Sequence, residues 1–131
     1  MSARVLIVED ESLVAMLVED CLVDMGYEVV GPAGTVDAAL VLVEQTAFDV
    51  AVLDVNLAGT QSFPVAEALE ARGIPYLFLT GYDKFSIPEN FRHRYGLQKP
   101  FRMRALKDAL DTLQRDRSGA AARAEQPALR Q

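Results

Sequence analysis

Three short segments of the chain, residues 5–8, 50–53 and 76–79, are apolar at every position. A strand with one wet face alternates apolar and polar residues, whereas a strand of a parallel sheet is covered by helices on both faces and is apolar throughout. The three runs therefore predict central strands of a parallel sheet. Crossover connections between such strands are expected to be right-handed.

The stretches between these runs carry helical periodicity. Apolar residues recur at three- and four-residue spacing after the first run and stop at Gly26, which is typical of a helix end. Thr35 is a predicted N-cap for a helix to about Glu44. Further helices are predicted over 64–72, more weakly over 84–92, and in a last stretch with Met103, Leu106, Leu110 and Leu113; further short strands are predicted over 28–32 and 95–98. Five strands each followed by a helix predict an α/β fold: a doubly wound, five-stranded parallel sheet with helices on both faces.

One domain accounts for this pattern. The chain has 131 residues, the size of a single domain. Residues 1–116 form the predicted domain, and residues 117–131, rich in Ala, Arg and Gln without an apolar period, are predicted to be a disordered tail.

Composition excludes several classes of function. A net charge of −6 argues against a nucleic-acid binder, which needs a concentrated basic surface. One cysteine and one histidine exclude a disulfide framework and a zinc site built on cysteines, so any metal must bind oxygen. The chain has no apolar run of membrane-spanning length and does not open on a signal-peptide pattern, so we expect no signal peptide, no membrane association and a cytoplasmic location.

Polar residues mark the carboxyl ends of the predicted strands. Glu9 and Asp10 follow the first strand, Asp54 ends the third, Thr80 the fourth, and Lys99 follows the fifth. Ligands of open α/β sheets bind at this edge. Any one of these residues alone has an ordinary structural explanation, such as capping or a turn, but their joint occurrence favours a functional site.

Three converging carboxylates repel one another unless they take up protons or share a cation. Oxygen ligands of this kind suit Mg²⁺. Asp54 is then a candidate nucleophile toward phosphorus, with Lys99 and the Thr80 hydroxyl neutralising the phosphoryl oxygens. Glu11 is expected to favour the dipole of the first helix instead of ligating a metal.

The motifs VLIVEDE, LDVNL, FLTGY and QKPF, in this order and spacing, resemble the receiver domain of two-component response regulators. The resemblance covers about residues 4–116 and implies the strand order 2-1-3-4-5. It makes Asp54 the phosphoacceptor, Asp10 a direct Mg²⁺ ligand, Glu9 a second acidic residue acting through water, and Asn56 a ligand through its backbone carbonyl.

The resemblance also gives roles to the last two strand ends. Thr80 is similar to the hydroxyl that turns toward the phosphoryl group, and Lys99 to the lysine that pairs with it. The Lys99–Pro100 peptide bond is implied to be cis. Arg92, Arg94, Arg102, Arg104 and Lys107 form either a solvated surface or a docking surface for an acidic partner, and related receivers use this region and the first helix for partner contact.

Two positions depart from the usual receiver pattern. Gly96 stands where a Tyr or Phe is usual, with Tyr95 one residue away, and Ala58 stands where Pro is usual. Together with FLTGY and the stretch 63–66, these departures resemble the FATGUY class of alphaproteobacterial receivers, whose partners include histidine kinases of the HWE type. We therefore expect signalling through reordering of the loop and helix after Thr80, in place of the usual Thr–aromatic switch.

The resemblance implies a stand-alone response regulator. It would take a phosphoryl group from a histidine kinase or phosphotransfer protein onto Asp54, with Mg²⁺, and act by phosphorylation-dependent binding of a further protein or as a phosphate sink. It would be no enzyme beyond self-catalysed transfer and autodephosphorylation. The main alternative is a phosphorylation-independent binding module. A phosphatase with an Asp nucleophile is a weaker alternative, because Asn56 replaces the second Asp that such chemistry needs.

Overall fold

The structure is a computed structural model that describes residues 3–81 and 95–123, with side chains described over 3–81 and 96–114. The predicted helix over 84–92, together with Tyr82, Arg92, His93 and Arg94, lies outside the described residues. The expected reordering after Thr80 also involves that part of the chain. Residues 124–131 of the predicted tail lie outside as well.

The central sheet has five parallel strands. These are β1 (Arg4–Val8), β2 (Glu28–Ala33), β3 (Val50–Asp54), β6 (Tyr76–Thr80) and β7 (Tyr95–Gln98), in the order β2-β1-β3-β6-β7. Counting these five alone, the order is 2-1-3-4-5, which confirms the predicted topology. Strands β4 (Asn56–Leu57) and β5 (Thr60–Gln61) form a separate antiparallel hairpin that the sequence pattern did not predict.

Helices cover both faces of this sheet in the described residues. They are α1 (Ser12–Asp24), α2 (Val36–Gln45), α3 (Phe63–Ala71) and α4 (Met103–Arg123). Thr35 is the N-cap of α2, as predicted, and its hydroxyl accepts a hydrogen bond from the Ala38 N–H at 3.1 Å. Gly26 follows α1 with a φ of 91°, a conformation that side chains rarely adopt, which explains why the helix ends there.

Two apolar cores lie on the two faces of the sheet. On one face Leu6, Leu53 and Phe78 pack with residues of α2 and α3. On the other face Ile7 and Leu77 pack with residues of α1 and α4. Neighbouring residues of each strand thus enter opposite cores, which is why the strands are apolar at every position.

Helix α4 is longer than the sequence pattern predicted. It continues to Arg123, so the predicted boundary at residue 116 falls inside a helix. Among the residues of α4 whose side chains the structure describes, Leu113 is the last that joins the core. The sequence carries no apolar period from residue 117 onward, so periodicity alone does not predict this part of the helix.

In the part of the chain that the structure describes, two peptide bonds before proline are cis. Lys99–Pro100 is one, as the resemblance implied, and Gly31–Pro32 is the other. Within the described residues, no helix combines the length and the apolar character needed to cross a membrane.

Candidate functional site

Four strand ends bring the candidate residues to one edge of the sheet. Backbone hydrogen bonds continue the strand pairing beyond the apolar segments: Glu9 N–H donates to Ala33 O at 2.9 Å, and Lys99 N–H donates to Thr80 O at 2.8 Å. Parallel strands all end on the same side, so Glu9, Asp54, Thr80 and Lys99 meet there. The edge predicted from the sequence is thus the edge at which these residues lie.

Lys99 links two carboxylates at this edge. Its ammonium Nζ lies 3.0 Å from Glu9 Oε2 and 3.2 Å from Asp54 Oδ2, and it donates a hydrogen bond to each. The Glu9 side chain is fully buried and that of Asp54 is 8% exposed. A buried carboxylate is stable only with such a partner, so Lys99 holds the two acids together in a largely dry site.

A third carboxylate joins this pair, and it belongs to Glu11. Carboxylate oxygens of Glu9, Glu11 and Asp54 all lie within 4.8 Å of one another. Glu11 is the N-cap residue of α1, yet its side chain makes no capping hydrogen bond. The expectation that Glu11 serves only the helix dipole is therefore incomplete. The sequence signal that could have placed Glu11 in the site is its position as the third acidic residue of the VEDE motif.

Asp10 is placed differently from the other acids. It is exposed, and among the described residues it is not a member of the carboxylate group formed by Glu9, Glu11 and Asp54. Its direct ligation of a metal therefore stays a prediction of the resemblance.

The Glu9 carboxyl has a pKa raised from 4.5 to about 7. Burial is the largest cause, because it disfavours the charged form, and the hydrogen bond with Asp54 adds to it. Hydrogen bonds from Lys99 and from the Glu11 N–H at 3.2 Å oppose the shift. Burial lowers the pKa of Lys99, but its bond to Glu9 and the Asp54 charge outweigh this and raise it. Near neutral pH the site thus holds the Lys99 ammonium and a Glu9 carboxyl that is protonated in part of the molecules.

Asn56 connects Asp54 to the hairpin. Its backbone N–H donates to Asp54 Oδ1 at 3.3 Å, while its side-chain Oδ1 accepts a hydrogen bond from the Gly59 N–H at 3.1 Å. The Asn56 side chain is therefore committed to the turn. A role for its backbone carbonyl toward a metal stays a prediction.

Thr80 and Gly96, two further positions singled out by the sequence, lie on the neighbouring strands β6 and β7. Thr80 is buried at the end of β6, beside the strand that leads to Lys99. Gly96 is exposed on β7 and pairs in register with Phe78 of β6. The residue at this position of β7 thus brings no side chain to its neighbour.

The donor set fits a divalent cation. Three carboxylates whose oxygens lie within 4.8 Å of one another supply hard oxygen ligands and negative charge. No nitrogen or sulfur donor belongs to this group in the described part of the chain, which favours Mg²⁺ over zinc. The arrangement suits chemistry in which charge on a phosphoryl group must be neutralised.

Comparisons with known proteins converge on one family. The family model described as the response regulator receiver domain matches residues 5–111. The transcriptional regulatory protein PdtaR of Mycobacterium tuberculosis is 32% identical over 112 residues, which are 82% of this chain and 55% of PdtaR. The phyllosphere-induced regulator PhyR of Methylorubrum extorquens is 30% identical over 105 residues, 77% of this chain and 39% of PhyR. The chain therefore spans about half the length, or less, of these curated relatives.

Among solved structures, SdrG from Sphingomonas melonis Fr1 is 49% identical, with a TM-score of 0.78 over 86% of this chain and 96% of SdrG. A BeF3-activated conformation of SdrG also matches, with a TM-score of 0.74 over 86% of this chain and 98% of that structure.

Proposed function

The chain belongs to the response regulator receiver family, and we propose that Asp54 accepts a phosphoryl group from a phosphohistidine of a partner histidine kinase or phosphotransfer protein. One observation carries this proposal: the Asp54 carboxylate lies 3.2 Å from the Lys99 ammonium at the carboxyl edge of the sheet, among the further carboxylates of Glu9 and Glu11. This combines a nucleophile, a fixed cation and oxygen ligands in one place.

The transfer is a displacement at phosphorus. A carboxylate oxygen of Asp54 forms a bond to phosphorus as the bond between phosphorus and the imidazole nitrogen breaks, and that nitrogen keeps the electron pair and takes up a proton. Lys99 and the Thr80 hydroxyl stabilise the charge on the phosphoryl oxygens. Asp54, Glu9 and their acidic neighbours would hold Mg²⁺, which would supply further neutralisation of that charge. Hydrolysis of the acyl phosphate then returns Asp54 to its starting state, without a separate phosphatase.

Signalling by this receiver follows from phosphorylation-dependent binding of a further protein or from removal of phosphoryl groups from a kinase. HWE-type kinases are the expected donors, because the chain resembles receivers that work beside them. The presence of PdtaR and PhyR, both named as regulators, among the relatives supports a regulatory role.

Helix α1 supplies a candidate docking surface for the kinase. This helix begins at Ser12, two residues after Asp10, and four of its apolar side chains are more than half exposed: Leu13, Met16, Leu17 and Val23. Exposed apolar patches of this kind mark interaction sites. A partner bound there lies next to the carboxyl edge and so can present its phosphohistidine to Asp54.

Intact mass after incubation with acetyl phosphate and Mg²⁺ tests the proposal. We expect one added phosphoryl group on the unmodified chain and none on Asp54→Asn or in EDTA. Equal uptake by the Asp54→Asn variant would overturn the assignment of the acceptor.

A second function, phosphorylation-independent binding, is favoured by the missing side chain at Gly96. It predicts no adduct with acetyl phosphate, no transfer from a phosphorylated HWE-type kinase, and partner binding that Asp54→Asn leaves unchanged.

A further inference from the structure

The hairpin formed by β4 and β5 has a strained turn. Its two central residues, Ala58 and Gly59, have φ values of 50° and 86°, and positive φ at both positions is the type I′ arrangement. Ala58 is the sole residue other than glycine with positive φ in the described part of the chain. Its Cβ makes this conformation unfavourable, so the surrounding structure must hold it.

A hydrogen bond, strand pairing and core packing hold the turn in place. The Asn56 side-chain Oδ1 accepts from the Gly59 N–H at 3.1 Å, and Asn56 and Leu57 pair with Gln61 and Thr60 across the hairpin. Leu57 is buried in the core beside α3, which anchors the hairpin to the domain. The strain at Ala58 is therefore offset by contacts that begin at Asn56.

A second unfavourable feature lies where the hairpin meets α3. The Ser62 side chain is fully buried, and its Oγ has no hydrogen-bond partner among the described residues. Ser62 occupies the N-cap position of α3 with φ −88° and ψ 9°, although N-cap residues are usually extended. In an extended conformation its Oγ would be able to cap the Val65 N–H, which now bonds to the Ser62 backbone carbonyl at 2.9 Å.

The strained turn is connected to the acceptor carboxylate through Asn56, which also pairs with Gln61, the residue before Ser62. The backbone N–H of Asn56 donates to Asp54 Oδ1 at 3.3 Å, and its side chain holds the strained turn. A phosphoryl group on Asp54 changes the charge and geometry of the carboxylate that receives this N–H, and so changes the anchor of the turn.

We propose that the hairpin 56–61 is a conformational switch in which Asn56 transmits phosphorylation of Asp54 to the strained turn at Ala58 and to Ser62. This inference rests on the proposed function of Asp54. After phosphorylation Ala58 leaves the positive φ region and Ser62 caps α3, so that both unfavourable features are relieved together. The switch differs from the route expected after Thr80, because it uses the segment that directly follows Asp54 in the sequence.

Nuclear magnetic resonance of the ¹⁵N-labelled full chain tests the switch. Spectra are recorded with Mg²⁺ alone and with Mg²⁺ and beryllofluoride, a stable analogue of the phosphoryl group, while ¹⁹F spectra report whether beryllofluoride is bound. We expect the amide resonances of residues 56–62 to shift on binding. Ala58→Gly removes the strain and should at least halve these shifts while the ¹⁹F signal of bound beryllofluoride persists.

Two further variants complete the design. Ala58→Pro excludes positive φ, so its amides at 59–62 should already lie near the bound positions of the wild type without beryllofluoride. Ala47→Gly changes an exposed loop alanine without positive φ and should behave as the wild type. Bound beryllofluoride with unmoved hairpin resonances, or full shifts in Ala58→Gly, would refute the switch alone. A missing ¹⁹F signal in the wild type would instead refute the phosphoacceptor proposal, and the switch with it.

Discussion

Glu9 couples the stability of the fold to pH. Its carboxyl has a pKa of about 7 in the folded chain against an ordinary value of 4.5, so folding favours the protonated form. The stability that this group contributes is fully present below pH 4.5 and is lost as pH rises through 7. Without Mg²⁺, unfolding free energy should fall between pH 5 and 8 by on the order of 2 kcal/mol more than in Glu9→Gln.

Urea unfolding of both proteins across this pH range measures the difference. Glu44→Gln, which removes an exposed carboxylate in the last turn of α2, is the matched control and should follow the wild type. Parallel curves for wild type and Glu9→Gln would contradict the assignment of the raised pKa to Glu9.

Lys99 neutralises two buried carboxylates, and its removal should be costly. Lys99→Met keeps most of the side-chain volume but leaves Glu9 and Asp54 without their cation. We expect a loss of about 1–3 kcal/mol in unfolding free energy without Mg²⁺. Addition of Mg²⁺ should raise the melting temperature of this variant by more than it raises that of the wild type, because the cation replaces the lost charge. An equal rise in both proteins would show that Lys99 and the metal act at separate places.

At the scale of the element, two helix N-termini provide a matched pair of hydroxyl groups. Thr35 caps α2 through a hydrogen bond, whereas Ser62 at the start of α3 makes none. Thr35→Ala should lower the unfolding free energy by about 1 kcal/mol, and Ser62→Ala should leave it unchanged or raise it. Chemical denaturation distinguishes the two. A loss at Ser62 equal to that at Thr35 would mean that the Ser62 hydroxyl has a partner in solution.

The exposed apolar surface of α1 gives a prediction about partner contact. Leu17→Glu should slow phosphoryl transfer from a phosphorylated HWE-type kinase at least tenfold, which is about 1.4 kcal/mol in activation free energy. It should leave the rate with acetyl phosphate unchanged. Val41→Glu on α2 is the control, because Leu17 is 54% exposed and Val41 50%. An equal loss with both phosphoryl donors would place the effect of Leu17 on the fold instead of on docking.

At the scale of the whole molecule, sequence patterns predict the buried strands of the sheet and the residues at their carboxyl ends. The apolar runs locate β1, β3 and β6 because burial on both faces leaves no polar position within them. The strand ends then locate Glu9, Asp54, Thr80 and Lys99, since parallel strands share one carboxyl edge. The order of the strands came from resemblance, because periodicity alone carries no information on which strands are neighbours.

The features that the sequence did not predict depend on contacts that leave no periodic pattern. The β4–β5 hairpin is two residues long on each side, too short for alternation to register. Glu11 follows two other acids, and only the fold decides which of the three carboxylates lie near Asp54. The last part of helix α4 has no apolar repeat in its sequence, so periodicity does not predict it.

The central claim is that Asp54 carries an acyl phosphate, and its position is directly measurable. Borohydride reduces an aspartyl phosphate to homoserine, so the chain is phosphorylated with acetyl phosphate and Mg²⁺, reduced and digested, and its peptides are sequenced by mass spectrometry. We predict homoserine at position 54 and its absence when Mg²⁺ is chelated. Homoserine at position 10, 49 or any other aspartate, with position 54 unchanged, would contradict the account.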